Sequence, residues 1–384
     1  DYYDLSLRLN GENINTTLLG NYTINESEQL IKAKLDIAKI NMQLLEAFAP
    51  EYVNETAGYI NGNFNIEGPV SDPIIDGSLG FANAKLTPRM LGTSFSINQQ
   101  KIKADNKGLY FSNFTMVDVQ GQSSVLRGTV GFEDLGNPSL NLTVSANNFQ
   151  FLNAKKSQTE DYFGKGLVDI DAKIKGDVNL PKVNANLTLK SGTDITYEIP
   201  YTQAQIQERE GIVRFKNMKA PKSAFKDDEV ATAPIEGIDL KTNIKIDPQT
   251  RFTIIIDPKT GDYLTVQGKA NLSFNMEVNG QMALVGKYEV NDGAYSMNLY
   301  ELVKKEFDII EGSSIVWTGD PLDADMDIIG EYSVLTSSVD LMANEIDLSN
   351  ASTVNRYRQK LPFDVKLLIG GKILKPEIAF ELDL

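Results

Sequence analysis

Apolar and polar residues alternate with a period of two along most of this chain, and few architectures accept that pattern. In the segment 268–280, Ala270, Leu272, Phe274, Met276 and Val278 fall on one side, and Lys269, Asn271, Ser273, Asn275 and Glu277 on the other. Successive side chains of a β-strand point to opposite faces, so the spacing predicts a strand with one apolar face. Ile60, Phe64 and Ile66 repeat the pattern, as do Val168, Ile170, Ala172 and Ile174. Farther on, Ala283 with Val285, or Leu284 with Tyr288, continue it in either of two registers. Gly, Asn and Asp punctuate the runs, as turns between strands require.

The strands recur in a unit. Residues 58–75 align without gaps on 166–183, so that Gly58 meets Gly166, Gly68 meets Gly176, Val70 meets Val178 and Pro73 meets Pro181. A looser copy closes the chain at 364–382. Each copy reads as strand, short Gly/Pro turn, strand, which is the unit of a β-meander. Helix is scarce. One candidate is expected near 28–49, with Ile40, Leu44, Leu45 and Phe48 at helical spacing before Pro50, and a further turn or two within 150–163 and 298–306. Residues 219–236 are polar and proline-containing, and read as a boundary loop between residues 1–220 and 221–384.

An apolar sheet face must be covered by helices, a second sheet, a bilayer or a bound apolar molecule. Too little helix is present for the first. A sandwich stays open, because the repeat offset of 108 residues, from Gly58 to Gly166, suits compact units of about 100 residues. A transmembrane barrel would add aromatic girdles at the strand ends, which are not clear here. The remaining choice is an elongated sheet curled along its length, with its apolar face lining a groove. Moving an acyl chain of about 16 carbons through water costs near 13 kcal/mol at roughly 0.8 kcal/mol per CH₂, and such a groove removes most of that barrier. If roughly 25 strands stack at about 4.8 Å, the sheet reaches on the order of 120 Å.

Composition narrows the chemistry. The chain has no cysteine and no histidine, which leaves no thiolate nucleophile, no Cys/His zinc site and no imidazole base. Its net charge of −15 argues against nucleic acid as a partner. No cofactor or metal is called for, and the chain is read as no enzyme. Asp323, Asp325 and Asp327 alternate, but the Gly and Glu of a calcium loop are replaced by Ile328 and Val334, so they read as the wet face of a strand. Paired carboxylates for glycoside hydrolysis are not singled out by any local motif. Trp317 reads first as a packed aromatic at a strand end. The chain opens inside a strand, so it reads as part of a longer protein, with any membrane anchor on the part not seen.

Two stretches carry a resemblance. Gly286, Tyr288, Val290, Gly293 and Tyr295 form a G-x-Y-x-V-x-x-G-x-Y run, and Glu311, Gly312, Ser313, Ile315, Trp317, Gly319, Asp320 and Pro321 an E-G-S-x-I-x-W-x-G-D-P run. In spacing and order, residues 254–384 resemble the C-terminal domain of the translocation and assembly module B (TamB) family, in a form similar to those of Bacteroidota and related to AsmA-like groove proteins. The resemblance implies a β-taco, a long curled sheet with an apolar groove. It also implies an inner-membrane anchor missing from this chain, a place in the periplasm of a Gram-negative bacterium, and a reach to the outer membrane. Its implied partners are an outer-membrane BamA/TamA-type Omp85 protein and phospholipid acyl chains. Two roles follow, carrying phospholipid between membranes and aiding insertion of outer-membrane proteins.

Together these readings make Ile60, Phe64, Ile66, Val168, Ile170, Ile174, Ala270, Leu272, Phe274, Met276 and Val278 the expected groove lining. The last strand carries Ile378, Phe380, Leu382 and Leu384, and its free edge is expected to receive the partner by strand addition. The competing reading is a structural β-solenoid adhesin or passenger domain, which would need coils of about 20 residues. A β-helix enzyme acting on polysaccharide would need a clustered charged cleft that the sequence does not display.

Overall fold

A computed structural model describes residues 1–24, 28–159, 161–199, 237–299, 303–339, 355, 357–373 and 375–383. Of these, 74% lie in strands and 2% in helix. The first strands are β1 (Tyr2–Asn10), β2 (Ile14–Ile24), β3 (Gln29–Asn41), β4 (Val53–Pro69) and β5 (Ile74–Pro88). Next come β6 (Phe95–Ile97), β7 (Lys101–Asp105), β8 (Gly108–Val117), β9 (Ser123–Gly131) and β10 (Ser139–Ala154). The middle holds β11 (Tyr162–Asp177), β12 (Pro181–Leu189), β13 (Asp194–Glu198), β14 (Asp239–Asp257) and β15 (Asp262–Met276). The chain ends with β16 (Met282–Leu299), β17 (Val303–Ile309), β18 (Ser314–Gly319), β19 (Asp325–Ser337), β20 (Lys360–Lys372) and β21 (Lys375–Asp383).

All 21 strands of the described residues join one curved sheet, and neighbours in sequence are mostly neighbours in space. Pairing is antiparallel except where β12 and β13 both run parallel to β14. The repeated unit is visible as two hairpins with matching turns: Gly68 and Gly176, both at positive φ, end β4 and β11 before the proline-bearing turns. This meander of antiparallel hairpins is not the parallel coil stack of a solenoid. Three short pairs (β6 with β7, β12 with β13, β17 with β18) each lie end to end beside one longer strand. They therefore share a rank, and over the described residues the sheet is 18 strands wide, the 21 strands less three. At about 4.8 Å per strand this spans roughly 80 Å, shorter than strand counting from the sequence suggests.

The expected helix near 28–49 is mostly strand. Ile31, Ala33, Leu35 and Ile37 alternate with Lys32, Lys34, Asp36 and Ala38, and β3 pairs on both edges, with β2 and β4. Pairing on both sides outweighs the helix propensity of its Leu, Lys and Ala residues. Only α1 (Leu44–Phe48), five residues with none buried, is helical there. Of the turns expected within 150–163 and 298–306, one is present where the Gln158 N–H donates to the Lys155 carbonyl between β10 and β11, while residues 300–302, between β16 and β17, lie outside the described residues. The loop 219–236 lies outside the described residues.

What curls the sheet is a line of β-bulges running across it. Register shifts occur between Ile37 and Ile40, Ala57 and Tyr59, Phe111 and Phe114, Ala146 and Phe149, and Ile246 and Thr250. Each bulge adds twist and bends its strand, so each long strand contributes one half to a first wall and one half to a second. Asn83 and Asn148 sit at φ 48° and 47° on this line, a conformation Asn tolerates better than most residues. Asp169 accepts from the Asn148 amide at 2.7 Å. Lys190 then spans Asp169 and Asp247, each at 3.3 Å, and those two partners hold its ammonium above the usual lysine range.

Gly58 allows a close backbone approach on the line. Its φ is +80°, and a Cβ there would lie 2.3 Å from the Asn83 carbonyl oxygen. Gly261 has nearly the same φ, +79°, with open space around it. Gly261→Ala should thus cost only the left-handed penalty of about 1–2 kcal/mol. Gly58→Ala adds a backbone clash, and its thermal unfolding is expected to shift clearly further than that of Gly261→Ala. Equal shifts would contradict the close packing of the fold line.

Candidate cargo groove

Strand register shows how far the apolar face extends. Starting at the first strand, directly paired residues run Leu7, Leu18, Leu35, Phe64, Gly77, Ala104, Leu109, Val130, Leu140 and Gly176. The neighbouring row on the same face continues through Leu142, Ile174, Val183, Leu240, Met276 and Met282. The apolar surface is therefore unbroken from the first strand into the C-terminal third. On the opposite face sit charged cross-strand pairs, Lys32 with Glu67 at 3.2 Å and Lys269 with Glu289 at 3.2 Å. Such exposed pairs add little stability, but they mark this side as the wet one.

The face is not covered evenly. Over β1–β4, Leu7 is exposed, Leu18, Leu35 and Phe64 are half-buried, and none of them belongs to a buried cluster. The Phe64 ring lies over Gly77, where a Cβ would come within 2.4 Å of it. This part is an open trough. Over β14–β20 the two walls meet instead. Val290, Tyr288 and Ile315 of the first wall pack with Val266, Phe307 and Ile309 of the second. Phe252 of the second wall meets the Tyr288 ring edge-on at 6.1 Å. Burial pushes the Tyr288 phenol well above its usual pKa, and that of Tyr295 up as well, with Asp262 adding to the latter. Both stay neutral at physiological pH, so the interior carries no phenolate. The Tyr288 hydroxyl has no hydrogen-bond partner among the described residues.

The expected lining residues divide accordingly. Phe64, Ile66, Ile174, Phe274 and Met276 are half-buried on the apolar face and lie outside the clusters. Ile60, Ile170 and Leu272 pack against the edges of clusters. Val168, 3% exposed, and Ala270, 4% exposed, are closed off within the protein. Val278 falls in the turn after β15, outside the ladder. The register left open at 283–288 is settled by the pairing of Leu284 with Phe274 and Tyr288 with Ala270, which puts Leu284 and Tyr288 inside. Trp317 packs beside the large cluster and donates its indole N–H to the Pro321 carbonyl at 3.0 Å. Asp323 and Asp325 both pair with Lys372 at 3.1 Å on the wet face. A cleft of about 430 Å³ opens beside the fold line, but Lys245, Asp247, Lys269, Lys287 and Glu289 line it, and it does not belong to the trough.

The last strand pairs only with β20 among the described residues, leaving its other edge free. Ile378, Phe380 and Leu382 are each about half exposed, while Leu384 lies outside the described residues. No helix among the described residues is long and apolar enough to cross a membrane. Not foreseen from the sequence were the residues of the fold line and an aromatic cluster of Phe81, Phe95, Phe114 and Phe149. The available signal was a slip in the alternation. Inward residues run Leu79, Phe81, then Ala84, Leu86, losing phase at Asn83, and they slip again at Asn147 and Asn148.

A family model described as the TamB C-terminal domain matches residues 112–383, more than two thirds of the chain. The match starts within β8 and covers the packed C-terminal part, while the open trough over β1–β4 lies before it. Comparison with curated proteins and with solved structures gives no match.

Proposed function

This chain belongs to the TamB family, and from that membership we propose that it carries phospholipid acyl chains through the periplasm of a Gram-negative bacterium. The family is associated with the cell envelope, with outer-membrane protein assembly and with lipid transport in general. The observation that carries the finer reading is the unbroken apolar face, which stays open over β1–β4. Acyl chains laid on it stay out of water while a headgroup projects past the rim. The chain acts as a carrier and contributes no bond-making chemistry of its own. Native mass spectrometry of the full chain, purified in mild detergent, tests this directly. Masses of bound diacyl lipid that vanish on Phe64→Asp substitution support the reading, and a lipid-free protein that stays lipid-free after incubation with phospholipid vesicles overturns it.

The free edge of β21 supports a second contact. TamB proteins work with Omp85-type partners in general terms, and the exposed Ile378, Phe380 and Leu382 suit strand addition to such a barrel. Phe380→Asp should reduce co-purification with the barrel roughly tenfold, which is the scale of about 1.4 kcal/mol. Undiminished recovery would exclude this strand as the contact.

A further inference from the structure

The trough does not run freely into the C-terminal part. Strands β8 and β9 are 10 and 9 residues long, against 17, 15 and 16 for β4, β5 and β10, and on the second wall they reach no farther than the pairing of Val117 with Ser96 of β6. On the second wall the space between β6 and the far half of β10 is crossed by the segment Arg89–Ser94, beside the turn after β8 whose Asp118 accepts from the Gln150 amide at 2.6 Å. One backbone hydrogen bond fastens the segment to β10, from the Asn153 amide to the Leu91 carbonyl at 3.0 Å. The Tyr162 hydroxyl donates to the Met90 carbonyl at 2.7 Å. Gly92 takes φ +57° against the Ala154 backbone, where a Cβ would lie 2.6 Å from the Ala154 Cα.

Beneath this strap the space between the walls is filled by aromatic rings. Phe95, next to the strap, stacks on Phe149 with ring centres 5.2 Å apart, and Leu91 and Met116 pack on the pair. Phe81 and Phe114 meet edge-on at 5.3 Å just beside them. Phe95, Phe114 and Phe149 are all nearly fully buried. Elsewhere a wall is a ladder of many backbone hydrogen bonds. Here it is a short loop with one backbone bond to β10, its others running to Tyr52 and Pro88 on the near side, and a seam crossed by so few backbone bonds opens at the lowest cost.

We propose that Arg89–Ser94 is a gate, closed in this state, that must lift for an apolar chain to pass between the open trough and the C-terminal part. The proposal rests on the carrier reading. An acyl chain replaces one set of apolar contacts with the Phe95–Phe149 pair by another, so cargo itself favours the open form, and a minor open population suffices for passage. The rings keep the interior dry while no cargo is present.

The chain has no cysteine, which makes a lock simple to install. Met90→Cys with Asn153→Cys places two thiols on exposed side chains beside the Asn153–Leu91 hydrogen bond, and a short bifunctional thiol reagent joins them. The full chain is loaded with a phospholipid bearing a photoreactive acyl chain, and adducts are mapped to peptides around Phe64 and around Phe274. Without the reagent both regions should be labelled. With it, one region should keep its label and the other lose it by roughly tenfold or more, because locking removes the minor open state. Equal labelling with and without the lock would overturn the gate while leaving the carrier reading intact. No labelling in either state would overturn the carrier reading and the gate with it. Phe95→Ala, which thins the plug without a cross-link, is expected to raise the rate at which label equilibrates between the two regions, and an unchanged rate would count against the gate.

Discussion

Phe64→Asp is expected to abolish passage of apolar cargo while leaving the fold in place. Phe64 is half-buried on the trough floor, outside every cluster, with its ring over Gly77. Its loss should cost only about 1–2 kcal/mol of stability, part of the value of a fully buried side chain. A carboxylate at that point meets any acyl chain lying on the floor, and taking an unpaired charge out of water is far more costly than the contact it replaces. Lipid binding should fall at least roughly tenfold, or about 1.4 kcal/mol. Asn65→Asp, one residue along on the wet face, is the matched control and should bind as the parent does. Equal loss in both variants would mean that charge, rather than its place on the floor, is what matters.

Phe307→Ala is expected to cost about 3–5 kcal/mol, the range for emptying a buried aromatic site. Phe307 is 3% exposed and touches Tyr332 and Phe380 with ring centres 6.1 and 6.3 Å away. The loss should stay local, because each strand contacts mainly its neighbours in the sheet and β1–β4 share no cluster with β17. Hydrogen exchange should show protection falling over β16–β20 and unchanged over β2–β4. Uniform loss would contradict an elongated sheet stabilised rank by rank.

Much of this architecture was legible in the sequence because its cause is local. Alternation at Ala270–Val278 and at Val168–Ile174 states which side of a strand is apolar, and a strand has only two sides. The family, too, was readable, from the runs around Tyr288 and Trp317. Depth was not readable. Val168 and Phe274 look alike in the alternation, yet one is 3% exposed and the other half-buried, because burial depends on how near the opposite wall comes. The helix expected near 28–49 is confined to Leu44–Phe48 for a similar reason: helical spacing is a local signal, and the pairing of β3 on both edges, which claims residues 29–41, is not. The fold line left a faint trace, the phase slips at Asn83 and Asn148, which has meaning only once two walls are expected. The strap Arg89–Ser94 left none, since it becomes a wall only because β8 and β9 stop short.

The central claim is that the apolar face, and not the charged one, receives acyl chains. Site-specific photocrosslinking in cells with radiolabelled lipids tests it most directly, with the reactive group placed at Phe64 or Phe274 and, as opposite-face controls, at Asn65 or Asn275. The account requires lipid adducts at both phenylalanine positions and none at either asparagine. Adducts to protein alone at Phe64 and Phe274 would contradict a lipid carrier and make the groove a shelter for unfolded outer-membrane strands. Lipid adducts at all four positions would contradict the assignment of the inner face.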